Sequence, residues 1–151
     1  MLNYQNQCSA LTLAEGLKEF ESAFQAVGVP RDAGEVARQF FRYHDIVHVV
    51  FGAGVSLEDE LVVKMVSLMG TTEGWRVLKG YRSDEAKSLY SVLPASQVVR
   101  AVLCSVPLTL SAAWRCWRMK QKWPWRDHEV YLTMSLDVIR RQFGIRVVRG
   151  N

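Results

Sequence analysis

Cysteine, long apolar runs and any leader-like opening are all scarce or missing in this sequence, and each lack closes a class. Cys8, Cys104 and Cys116 form an odd set with no CxxC spacing. That arithmetic argues against a disulfide framework or a thiolate zinc site and favours a reducing compartment. The opening MLNYQNQCS lacks the basic-then-apolar layout of a signal peptide. The longest weakly polar run, 101–114, covers 14 residues and contains Pro107, whereas a bilayer span needs about 20 apolar residues. The expected location is therefore cytoplasmic or peripheral on an inner membrane face, neither secreted nor membrane-spanning. Low-complexity sequence is absent too. Hydrophobic residues make up 49% and charged residues 23%, which is globular composition.

What is present is one domain's length, 151 residues, with a formal net charge of +4. The surplus lies late in the chain, since nine basic and three acidic residues follow Ala112. The periodicity is helical nearly throughout. Leu13, Leu17, Phe20, Phe24 and Val27 form one stripe, opened by a Thr12/Glu15 capping box and closed by Gly28 and Pro30. A second helix is expected from Asp32 to Gly52, with Val36, Phe40, Tyr43, Val47 and Val50 inward. A third is expected from Ser56, with Asp59 three residues on, through Leu61, Met65 and Leu68 to Gly70. Beyond it come a short segment around Trp75 and Leu78, a helix over 83–93, and an apolar helix after Pro94 that Pro107 should kink or divide. WPW at Trp123–Trp125 is a break. A final helix over 127–143 points Val130, Leu136, Ile139 and Phe143 inward and stops at Gly144. The tail 145–149 reads as extended. Together these predict a single all-α domain over 1–151, with an apolar cavity and little or no sheet.

The chemistry concentrates in RYHDIVHVVFGAGVSLEDE, Arg42–Glu60. His44 and His48 are four apart on a helix, so their imidazoles share one side within metal-ligand reach. Asp45 adjoins them, and apolar neighbours nearly all round imply burial. A tight turn after Gly52 allows an antiparallel helix to return Glu60 beside the histidines. Two imidazoles with one or two carboxylates suit a divalent cation: zinc first, with iron, manganese or magnesium as alternatives. The competing structural reading is a pair of hydrogen-bonded histidines. A buried His–Asp–His cluster, however, needs a charge partner or a metal. Two metallohydrolase readings fit less well. An HD-type phosphohydrolase needs a further histidine upstream, where there is none, and a zincin would carry Glu at Asp45.

HDxxH followed after eleven residues by Glu resembles the signature of the coenzyme Q (ubiquinone) biosynthesis protein four family. His44-Asp45-Ile46-Val47-His48, then 49–59, then Glu60 keep its spacing, and Gly52 falls where that family has glycine. ELVVKMVSLM, AWRCWRMKQKWPW and RRQFGI are similar to later family segments, whereas the turn GAGVSLED departs from the family's Pro, Thr and Asn. The resemblance implies a helical protein that holds a divalent metal through His44, His48 and Glu60. Asp45 would be a fourth ligand or an orienting partner, and Asp45 and Glu60 would be the catalytic groups. It further implies a polyprenyl-tailed quinone precursor as ligand, other quinone-biosynthesis proteins as partners, and metal-dependent decarboxylation of a polyprenyl benzoate coupled to C1 hydroxylation. The alternative is a non-catalytic isoprenoid-lipid-binding or scaffold protein of the same complex.

The basic, Trp-rich stretch 114–126 has three readings: a core segment with a solvated face, a peripheral membrane contact, or a nucleic-acid surface. No nucleic-acid recognition motif accompanies it, so nucleic acid is not an expected partner. His128 reads as a surface residue. A homo-oligomer is compatible with the sequence.

Overall fold

The computed structural model describes residues 2–24, 34–80 and 95–148. Along them run six α-helices: α1 (Leu13–Phe24), α2 (Glu35–Phe51), α3 (Leu57–Gly70), α4 (Val77–Gly80), α5 (Ala95–Trp117) and α6 (Leu136–Phe143). There is no strand among the described residues, and two isolated bridges join Thr12 to Ser135 and Thr71 to Trp123. The all-α class is as expected. The expected helix over 83–93, the start at Asp32 and the stop at Gly28–Pro30 lie outside the described residues.

The helix starts are those the capping residues demand. Glu15 Oε2 accepts from the Thr12 N–H at 2.8 Å, and the Glu15 N–H donates back to Thr12 Oγ1 at 3.2 Å. At α3 the Asp59 N–H donates to Ser56 Oγ at 3.2 Å, and that hydroxyl donates to Asp59 Oδ2 at 2.9 Å. Each box satisfies N–H groups that the first turn would otherwise leave unpaired. Gly52 and Gly144 end α2 and α6 in the left-handed region, at φ 69° and 70°, which only glycine enters freely.

Two expected faces are corrected. Val36 is 83% exposed, because α2 becomes buried only from Phe41 onward. In α3, Asp59, Val62, Val63, Val66, Ser67 and Gly70 are buried, whereas Leu61, Met65 and Leu68 are half-buried. Apolar residues occur on several sides of α3, so the period does not select a face; packing against α2 and α5 does. The predicted helix over 127–143 is broken, and Val130 is 74% exposed. The carbonyls of Leu132 and Met134 accept from Ala14 and Leu13 at 3.0 Å, while Leu136 and Asp137 donate to Leu11 and Ser9. That segment docks on the start of α1, so its backbone groups are not available to continue a helix.

Pro107 neither ends nor divides α5, which continues to Trp117. It lies on the exposed side, where water can satisfy the carbonyl left by its missing N–H. The core joins Leu13, Leu17 and Phe20 with the valines of α2 and α3, Leu136, Ile139 and Phe143 of α6, and Trp123 and Trp125. The tail has no strand partner; it buries Ile145, Val147 and Val148, and Val148 donates to the Phe51 carbonyl at 2.9 Å.

Candidate metal centre

The C-terminal half of α2 is buried on every side, from Ile46 through Phe51, and both histidines sit in that apolar shell. Gly52 reverses the chain, Ser56 caps α3, and Glu60 emerges from the first turn of α3 opposite the histidines. Its Oε1 lies 3.2 Å from His48 Nε2, and its Oε2 lies 3.4 Å from His44 Nε2. One ligand atom from each of the three residues falls within 4.8 Å of the others. The imidazoles meet edge to face, with centroids 4.5 Å apart. Phe20 packs on His48 and Phe40 stacks on His44.

Tautomers follow from the hydrogen bonds. His48 Nδ1 lies 2.7 Å from the carbonyl of Gly54. A carbonyl only accepts, so Nδ1 carries a hydrogen, and Nε2 is the ring nitrogen turned toward Glu60. His48 Nε2 is buried and makes no hydrogen bond of regular geometry. Such a nitrogen, fixed by a backbone acceptor on its far side, is how metal-ligating histidines are held. Asp45 Oδ1 stands 3.5 Å from His44 Nδ1, across the ring from the nitrogen that faces Glu60. That position suits the orienting role among the two considered for Asp45.

Without an ion, protons must balance the charges. Burial alone would lower the His44 imidazole, but the Asp45 and Glu60 carboxylates outweigh it and raise the group to about 9. Burial would raise the Glu60 carboxyl, but the two imidazoles hold it well below the usual carboxylate range. A divalent cation can replace the shared proton, and the donor set of two imidazoles and one carboxylate fits zinc, iron or manganese. Lys64, one turn beyond Glu60 on α3, is half-buried; burial lowers its ammonium group while Glu60 holds it up.

Arg140 carries little signal in the sequence, yet it positions the helix that bears both histidines. It is buried, and its guanidinium donates to the carbonyls of Val50 at 2.9 Å, Val49 at 2.8 Å and Tyr4 at 2.6 Å, and also to Asn6. Two of those acceptors, Val49 and Val50, belong to the last turn of α2, where carbonyls run out of regular helical donors and Val49 otherwise has only the Gly52 N–H at 3.3 Å. Tyr4 supports the following turn, its hydroxyl donating to the Ala53 carbonyl at 2.8 Å. A basic residue on an otherwise apolar face of α6 was the only clue.

His128 is buried, not on the surface, with its ring on Tyr43 at 5.2 Å between centroids. Tyr43 also meets Trp125, which packs on Phe40, so 123–128 fold back over α2. The tryptophans divide: Trp123 and Trp125 are core, whereas Trp114 and Trp117 are exposed. A pocket of about 10 Å³, room for one water, lies against Phe51, Val66 and Cys116 rather than against the histidines.

The fold and the site together define a small helical protein with a convergent His-His-Glu centre. No family model, curated protein or solved structure matches the chain.

Proposed function

We propose that this chain is a divalent-metal protein of quinone biosynthesis that binds a polyprenyl-substituted aromatic acid and removes its ring carboxyl. The observation carrying the proposal is the convergence of His44, His48 and Glu60, with His48 Nε2 buried and aimed at the carboxylate. The HDxxH-x11-Glu resemblance supports the choice of substrate class. A bound divalent ion, zinc by preference, would neutralise the substrate carboxylate and polarise the ring oxygens.

The chain's own groups have distinct tasks. His44, His48 and Glu60 hold the ion. Lys64 adds a positive charge one turn from Glu60, favouring an anionic ligand. Asp45 is the more open carboxyl, its side chain 30% exposed. It would orient His44 and, in its protonated form, supply the proton that replaces the departing carbon dioxide on the ring.

Mass spectrometry of a short-chain prenyl hydroxybenzoate, incubated with zinc-, iron- or manganese-loaded protein, tests the proposal. Loss of carbon dioxide with wild type and at least about a hundredfold slower loss with Asp45→Ala is the expected result. Metal binding and lipid binding without turnover would reassign the chain to the non-catalytic carrier or scaffold role. Absence of metal binding would remove the proposal altogether.

A further inference from the structure

Helix α5 turns its most apolar residues outward. Val99, Val102, Leu103, Val106, Leu110, Trp114 and Trp117 are all exposed, Leu103 by 67%, Leu110 by 65% and Trp117 by 70%. At about 100° per residue they fall within roughly 120° of arc, opposite the buried Ala101, Ser105, Ala112 and Cys116. The stripe runs from Val99 to Trp117, about 27 Å along the helix. Scattered exposed apolar residues are ordinary, but a continuous stripe of seven is a docking surface.

Charge identifies the occupant. From Ala95 to Arg126 the chain has six basic residues and no acidic one. Arg100 and Arg118 are exposed at about 100° on the same wheel, flanking the stripe near its two ends. Arg118 also lies 5.9 Å over the Trp114 ring, which packs on Trp117 at 5.0 Å. Further along, Lys122 and Lys120 donate to the carbonyls of Met69 and Arg141, and Arg126 pairs with Glu73 at 3.0 Å. Those side chains serve the fold, so the face belongs to α5 rather than to 114–126 as a whole.

We propose that α5 lies in the plane of an anionic bilayer surface, its stripe among the acyl chains and its two tryptophans and flanking arginines at headgroup level. An apolar face bordered by arginine, with no carboxylate to repel lipid phosphate, is the composition of an interfacial helix. No helix of the described residues is long and apolar enough to cross a membrane. A second copy is the competing occupant, and it would bring the same unbalanced positive charge to the contact. The inference is independent of the metal centre.

Flotation of the full chain with vesicles of phosphatidylcholine, with and without phosphatidylglycerol, is the test. The chain should float with the anionic vesicles, bind less at high salt, and shift its tryptophan emission to the blue. The double variant Leu103→Gln/Leu110→Gln should lose at least about tenfold in partition while keeping its circular dichroism and zinc content. Failure of the wild type to bind anionic vesicles overturns the proposal, as does a double variant that floats undiminished. Reversible dimerisation of the wild type that the double variant abolishes, seen by sedimentation without lipid, overturns it in favour of the second copy.

Discussion

Helices α2 and α5 are both rich in valine and aromatic residues, yet each is placed against the ordinary rule. The buried half of α2 encloses two histidines and faces a carboxylate. By contrast, α5 buries small residues such as Ala101, Ser105 and Ala112 and exposes leucine and tryptophan. Burying titratable groups and exposing large apolar ones both work against folding stability. Two inversions in one small chain fall where the proposals place function: an ion on α2 and a bilayer surface on α5.

The comparison breaks most severely if α2 loses its support. Arg140→Ala removes the guanidinium donor from the carbonyls of Val50 and Tyr4 and leaves Val49 only the Gly52 N–H at 3.3 Å. A cost of about 3–5 kcal/mol is expected, read as a lower midpoint in urea. Arg140→Lys should recover little of it, because one ammonium cannot reach acceptors spread over two segments. The ligands come next. His48→Ala should lower zinc affinity by at least about a hundredfold in a competition titration with a chelator. Asp45→Asn should lower it by about tenfold.

Acidity sharpens the same contrast, since only α2 carries the titrating cluster. In the metal-free protein His44 is raised from 6.5 to about 9. A group raised by folding contributes stability that is full below its unfolded value and is lost as pH rises through the folded one. Metal-free protein should therefore lose of order 2 kcal/mol between pH 6.5 and 9. Proton competition for the ligands fades over the same interval. The rise in melting temperature on adding zinc should accordingly widen from pH 6.5 to 9, and in His44→Ala it should stay flat.

Local sequence made much of this legible. Thr12/Glu15, Ser56/Asp59, Gly52 and Gly144 each act within a few residues, and each sits where its chemistry requires. The His44–His48–Glu60 convergence was legible for the same reason: helical spacing fixes the pair, and a tight turn leaves the next helix little freedom. Contacts distant in sequence were not legible. The docking of 132–137 on α1 broke the predicted last helix, and Arg140 reaches acceptors up to 136 positions away. His128 is buried by a fold-back of which its own neighbours give no sign. The stripe on α5 misleads in the opposite sense, because periodicity reports an amphipathic face without saying which side faces the protein.

The smallest effect is the one that separates the two helices most cleanly. If the outward face of α5 contributes nothing to the packed core, Leu103→Gln/Leu110→Gln should leave the urea midpoint unchanged within about 0.5 kcal/mol. Leu136→Ala supplies the internal contrast: that side chain is fully buried against α1 and α2, and its truncation should cost about 2–5 kcal/mol. A double variant destabilised by as much as Leu136→Ala would mean that the stripe packs on the protein's own chain. The exposed face would then belong to the core, and the contrast with α2 would rest on the metal site alone.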